Sequence, residues 1–127
     1  MKNVTKITES TNKRVVIYVD TKEANNIFPF LFEGNNMQTF LRFKSLVFEN
    51  GRNSELYRKE DISEQHKNTY SIRFTSGKNQ NDRIYCLEKH DGKRNIILAK
   101  LHENKRSQHV NKQIKSILKN ISIKNYE

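Results

Sequence analysis

Two arginines, a tyrosine and a histidine in the second half of the chain are suited to chemistry at a phosphate group. Arg73 belongs to the alternating segment YSIRF, and Arg83 opens the segment RIYCL. Alternate side chains of a strand point to opposite faces, so both arginines can turn away from the apolar residues toward an anionic ligand. Tyr85 shares the face of Arg83, and His102 follows the next strand. We predict Arg73, Arg83, Tyr85 and His102 as candidate catalytic residues.

The chemistry that these residue types fit is cleavage of RNA through its 2′-hydroxyl group. The reaction requires removal of the hydroxyl proton, stabilisation of a pentavalent phosphorane and protonation of the leaving oxygen. If Arg73 and Arg83 lie on neighbouring strands, their guanidinium groups could bind adjacent phosphate oxygens bidentately. His102 or Tyr85 could transfer the protons. Each residue also has a structural explanation, because a strand arginine can be solvated, a tyrosine can pack half-buried and a histidine can lie in a surface loop.

Basic residues continue beyond the strands and dominate the charge of the chain. Lys100, Lys105, Arg106 and His109 follow one another at the end of the last strand and before the final helix, and we predict that they bind RNA. The chain has 24 Lys and Arg residues against 14 Asp and Glu residues, which gives a formal charge of +10. This surplus attracts polyanions, with nucleic acid first, an acidic protein second and anionic lipid third.

Common metal and cofactor motifs are absent from the sequence. The glycines form no phosphate-binding loop, and the histidines have no recognised metal-ligand spacing, so we expect no metal and no cofactor. The single Cys86 fits a small buried hydrophobe, excludes an internal disulfide and favours a reducing compartment. Neither a signal peptide nor an apolar run of membrane-spanning length is present. We therefore predict a cytoplasmic protein that does not bind membranes.

The apolar pattern in the first half predicts a strand followed by helices. Residues 15–19 are continuously apolar and β-branched, as in a strand that is covered on both faces. Asp20 or Thr21 can cap the helical segment that follows, in which Pro29 predicts a kink or two short helices. A break at residues 34–36 separates this segment from a second helix.

The second half reads as a polar connector, three antiparallel strands and a helix. The connector covers residues 50–68, and Asp91-Gly92 signals a hairpin between the last two strands. The final helix carries one apolar stripe, formed by Val110, Ile114, Ile117, Leu118 and Ile121. The order predicts a single α+β domain over residues 1–127, with residues 1–12 and 123–127 as loosely held ends.

Several of these segments together resemble the RelE/ParE superfamily of toxin components. They are residues 70–74, residues 82–86, residues 96–100 and the step from Lys105-Arg106 into the final helix. The likeness is greatest to the HigB-like and RelE-like ribonucleases. It covers the second half of the chain and implies a small antiparallel sheet with helices packed on one face and a concave basic face on the other.

The resemblance also implies an activity and its partners. Members of this kind are toxins of type II toxin–antitoxin systems. They act as metal-independent endoribonucleases on mRNA, commonly on the ribosome, and thereby inhibit translation. A cognate antitoxin, which we expect to be acidic, neutralises them. Arg83 matches the family's arginine on the middle strand, while Lys100, His102, Lys105 and Arg106 match its basic segment. Where RelE-type members carry a tyrosine in the final helix, this chain has His109 and Val110.

Two other functions fit the same sequence. ParE-like members of the superfamily act on DNA gyrase and need no nuclease site. A basic nucleic-acid-binding module would share the charge of this chain without any catalytic residue.

Overall fold

A computed structural model describes residues 1–60, 68–75, 81–103, 112–123 and 126. Its strands are β1 (Val4–Glu9), β2 (Val15–Asp20), β3 (Tyr57–Lys59), β4 (Thr69–Phe74), β5 (Asp82–His90) and β6 (Arg94–His102). Its α-helices are α1 (Ala24–Leu31), α2 (Asn36–Phe48) and α3 (Lys112–Ile123). A 3-10 turn at Thr21–Glu23 joins β2 to α1. The chain is therefore an α+β protein, as its sequence predicts.

The six described strands form one mixed sheet in the order β1-β2-β6-β5-β4-β3. β2 and β6 are parallel, and every other neighbouring pair is antiparallel. The sheet is therefore larger than the predicted one and is not wholly antiparallel. β2 reads as continuously apolar because it lies between β1 and β6 and is covered on both faces, which leaves Ile17 and Val19 fully buried.

Helices cover both faces of the sheet. α1 and α2 pack on the face that holds Ile72, Ile84 and Leu98. α3 packs on the opposite face over β4, β5 and β6, where Leu118 and Ile121 join a second apolar cluster. The expectation that all helices pack on one face is wrong. The physical reason is that both alternating sets of side chains on β5 and β6 are largely apolar, so each face of the central sheet must be covered.

Two parts of the segments predicted as loose ends, β1 and Tyr126, contact other described residues. Residues 1–12 contain β1, which pairs with β2 and supplies hydrogen bonds to what would otherwise be an open edge. Near the other end, the Tyr126 side chain is buried and its hydroxyl donates to Asp20 Oδ2 over 3.0 Å. The backbone oxygen of Tyr126 accepts from Lys2 N. These contacts join β1 to β2 and Tyr126 to Asp20 and Lys2, at one end of the β1–β2 pair.

Local signals in the sequence mark the turns correctly. Gly92 has a φ of +66° in the hairpin between β5 and β6. Asp20 Oδ1 accepts a hydrogen bond from Lys22 N and so caps the 3-10 turn, whereas α1 follows Glu23, which makes no side-chain cap hydrogen bond. α1 ends two residues after Pro29, and α2 begins after the break that contains Gly34. The sequence of the polar connector, in contrast, gives no signal for β3, because this strand is too short to show a periodic pattern. None of the described helices has the length and apolar character needed to cross a membrane.

Candidate functional site

Arg73, Arg83 and His102 form one row across three adjacent strands. Arg73 of β4 lies directly opposite Arg83 of β5, and Arg83 lies directly opposite His102 of β6. Directly opposed residues in antiparallel strands share a face, so all three side chains leave the sheet on the same side. Three of the four predicted catalytic residues are thus neighbours, and Tyr85 follows on the same face of β5. We call Arg73, Arg83 and His102 the basic row.

Arg83 at the centre of the row is buried and ion-paired. Its Nη1 atom lies 3.1 Å from Glu60 Oε1, and the two side chains are only 5% and 7% exposed. Ser71 Oγ donates to the same carboxylate oxygen over 2.7 Å. A guanidinium group engaged in this way is not open to a phosphate. Arg83 is therefore not an exposed cation in this structure, because the carboxylate of Glu60, from the polar connector, is paired with it.

Tyr85 is also enclosed. Its side chain is fully buried and belongs to the apolar cluster beneath α3. Burial and the charge of Glu60 raise the pKa of Tyr85 to about 12, although Arg83 opposes the rise. The ring centroid lies 6.2 Å from that of His102, with 29° between the planes. Tyr85 is therefore poorly placed to act as an acid itself, but its ring helps to fix the orientation of His102.

Arg73 and His102 are the reachable members of the row, since both side chains are only half-buried. Burial and the charges of Arg83 and Arg58 lower the pKa of Arg73, and Glu60 and Glu55 oppose the change. Arg73 Nε is itself buried and has no hydrogen-bond partner within the described part of the chain. A cation held this close to another cation is a favourable site for an anion.

Of the predicted RNA-binding residues, Lys100 lies in the described part of the chain, and it is paired with an acidic residue. Lys100 Nζ forms a salt bridge with Glu23 Oε1 at 2.9 Å. Lys100 lines a pocket beside α1 that also contains Glu23, Glu33 and Glu103. These carboxylates would repel a phosphate, so the structure does not support Lys100 as an RNA ligand. Lys105, Arg106 and His109 lie outside the described residues.

Two acidic residues that matter to the site escape sequence reasoning. Glu60 lies in the charged run RKED, where nothing distinguishes it from its neighbours. Glu88 is 1% exposed and binds Tyr57, His90 and Arg94 at the far end of β5. A signal for Glu88 did exist, because it occupies the third position of the apolar series Ile84, Cys86, Glu88. A carboxylate on a buried strand face requires polar partners.

The described residues include no group of three or more His, Cys, Asp or Glu side chains that could hold a metal ion. Cys86 is buried on the face of Ile84, as expected for a small hydrophobe, and burial raises the pKa of its thiol.

No protein-family model, curated protein or solved structure matches this chain.

Proposed function

We propose that the protein is the toxin of a type II toxin–antitoxin pair and acts in the cytoplasm as a metal-independent endoribonuclease on ribosome-bound mRNA. The observation that carries the proposal is the basic row, in which Arg73, Arg83 and His102 lie side by side on one face. The order of elements from β2 to α3 is compatible with the RelE/ParE resemblance. The charge of +10 suits both an RNA substrate and an acidic antitoxin.

In the proposed reaction, Arg73 binds the scissile phosphate. His102 takes the proton of the 2′-hydroxyl group or protonates the departing 5′-oxygen, and a water molecule exchanges the other proton. The 2′-oxygen attacks phosphorus, the bond to the 5′-oxygen breaks, and a 2′,3′-cyclic phosphate and a 5′-hydroxyl group result. Arg83, whose charge Glu60 balances, does not contact the phosphate; the ion pair holds the centre of the basic row in place. Tyr85 positions the imidazole ring of His102.

A second function is favoured by the burial of Arg83 against Glu60 and of Tyr85 beneath α3. A protein that acts by binding alone, as a gyrase-directed toxin or a basic nucleic-acid module, would need neither residue exposed. In that case the ion pair of Arg83 with Glu60 serves stability only.

Substitution of the two reachable residues separates these functions. Arg73→Ala and His102→Gln should each reduce RNA cleavage by about 100-fold or more and relieve growth arrest, because each removes one catalytic group. The measurement is primer extension on transcripts from cells that express each variant. Arg42→Ala removes an exposed cation from α2 and provides the charge-matched control. Arg83→Ala is less informative, because it would leave the buried Glu60 without its cation.

Two results together would contradict the nuclease proposal and support the binding function. Growth arrest would persist in Arg73→Ala and His102→Gln, and the unsubstituted protein would produce no cleaved transcripts. An open reading frame for a small acidic protein next to this one would support the antitoxin.

A further inference from the structure

A second pocket lies at the opposite end of β5 from the basic row. It has a volume of about 500 Å³ and opens between the loop that follows α2 and the adjoining ends of the strands. Its lining includes Arg52, Lys59, Tyr70, Glu88 and Arg94. The volume lies in the range of about 300–1,000 Å³ that is typical of small-molecule sites. We call it the Tyr70 pocket.

Tyr70, an aromatic residue in the wall of the pocket, is the last of three rings that contact one another in series. The Phe43 and Tyr57 centroids are 4.9 Å apart, and the Tyr57 and Tyr70 rings stack at 5.0 Å with 13° between their planes. Phe43 and Tyr57 are buried, whereas Tyr70 is half-exposed and lines the pocket. The series therefore ends on a flat ring to which a further planar group could be added by stacking.

The acidic residue in the wall of the pocket is already satisfied. Glu88 Oε2 accepts from the Tyr57 hydroxyl over 2.6 Å and from Arg94 Nη2 over 2.9 Å. Its Oε1 atom accepts from Arg94 Nε over 2.9 Å and lies 2.9 Å from His90 Nε2. These contacts occupy both oxygens, and the guanidinium group balances the charge. Glu88 therefore neither binds a ligand cation nor strongly repels an anion.

Two cations at the rim remain available to an anion. Lys59 of β3 lies directly opposite Tyr70 of β4, so the two side chains share a face. Arg52 lines the same pocket as Tyr70. Burial and the charge of Glu88 raise the pKa of Tyr70, while Arg94 and Arg52 oppose the rise. Lys59 and Arg52 are exposed, and neither has a salt bridge to a carboxylate among the residues that the structure describes.

We propose that the Tyr70 pocket binds a nucleotide, whose base stacks on Tyr70 and whose phosphate group contacts Lys59 and Arg52. A partly exposed aromatic ring beside exposed cations is the arrangement by which proteins bind single-stranded nucleic acid without base-specific contacts. The choice of RNA as the natural source rests on the proposed function. The pocket would then hold a nucleotide of the substrate strand at a distance from the basic row.

The test is binding by the full-length protein, measured separately from cleavage. Adenosine monophosphate, adenosine and inorganic phosphate are titrated into the isotope-labelled protein, and the amide signals of Gly51 and Tyr70 are followed by NMR. A fluorescent single-stranded RNA hexamer supplies affinities by anisotropy. The mononucleotide should shift both signals more than adenosine or phosphate does alone, and the hexamer should bind more tightly than the mononucleotide.

Variants link the binding to the proposed contacts. Tyr70→Leu should weaken mononucleotide binding about tenfold because it removes the stacking surface, whereas Tyr70→Phe should bind like the unsubstituted protein. Lys59→Ala should weaken binding about fivefold, and Arg42→Ala on α2 should leave it unchanged. Thermal unfolding of each variant shows whether the fold is retained. Lys59→Ala keeps the test valid if Tyr70→Leu does not fold.

Two results would overturn the proposal: no shift of the pocket signals with any of these probes, or mononucleotide affinities that are equal in Lys59→Ala and the unsubstituted protein. Binding of the mononucleotide but not of the hexamer would overturn RNA as the source. Cleavage data do not enter this test, so loss of the nuclease proposal alone would leave nucleotide binding in place.

Discussion

Glu60 determines what Arg83 can do. Their side chains form a salt bridge in which both partners are almost fully buried, and Ser71 donates to the same carboxylate. An ion pair of this kind depends on both partners, because removing one leaves a charge in a poorly solvated place. At the residue scale, the centre of the basic row is a structural contact flanked by the reachable Arg73 and His102.

Glu60→Ala should therefore lower the free energy of unfolding by about 3–5 kcal/mol, because Arg83 would stay buried without a partner. Urea denaturation at neutral pH measures the change. Glu9→Ala, which breaks the exposed pair with Lys6, serves as the comparison and should cost no more than about 1 kcal/mol. Equal effects of the two substitutions would show that the Arg83–Glu60 pair is not buried in solution.

Glu88 should make stability depend on pH. Burial alone would raise its pKa, but hydrogen bonds from Arg94, Tyr57 and His90 lower it below the ordinary value of 4.5. A carboxylate with a lowered pKa in the folded state stabilises the protein fully above its unfolded value, and this contribution is lost as the pH falls through the folded-state pKa. Unfolding free energies measured below pH 4.5 should therefore fall less steeply with acidification in Glu88→Gln than in the unsubstituted protein. Parallel pH profiles would contradict this assignment.

At the scale of elements, α3 decides which part of the basic face is open. Its apolar stripe packs against Ile97 and Ala99 of β6 and against Tyr85 and Leu87 of β5. The helix thus closes the apolar part of this face, whereas Arg73 and His102 stay partly exposed. The packing of α3 therefore sets how far the apolar part of this face is covered.

Leu118→Ala should lower the free energy of unfolding by about 2–5 kcal/mol, because Leu118 is fully buried between α3 and the sheet. Thermal or urea denaturation gives the value. Lys115→Ala changes an exposed residue of the same helix and should stay within about 0.5 kcal/mol of the unsubstituted protein. If the two variants are equally stable, α3 does not pack on the sheet as described.

At the scale of the whole molecule, the formal charge of +10 should govern binding of the proposed RNA substrate. Lysines and arginines that neutralise phosphates release counterions, so the affinity falls as salt rises, with a logarithmic slope of about −0.7 per contact on a single strand. Anisotropy titrations of single-stranded RNA should show this decline. Arg73→Ala should reduce the size of the slope by about 0.7 if Arg73 contacts a phosphate. A slope that does not change would remove Arg73 from the interface.

The sequence by itself determined the features that depend on neighbours in the chain. Strand alternation assigned Arg83 and Tyr85 to one face and Cys86 to the other, and the Asp91-Gly92 pair marked the hairpin. These features follow from the two-residue period of a strand and from local backbone preferences. The α+β class follows in the same way from the periods of the longer segments.

Only the tertiary structure decided which residues are open to a ligand. The register of β4, β5 and β6 brought Arg73, Arg83 and His102 into one row. Glu60, 23 residues from Arg83 in the chain, accepts a hydrogen bond from Arg83 at the centre of that row. The covering of both faces and the pairing of Tyr57 with Glu88, 31 residues apart, likewise depend on chain segments that meet only on folding. Local periodicity carries no information about such contacts, because it fixes the direction of a side chain and not what lies opposite it.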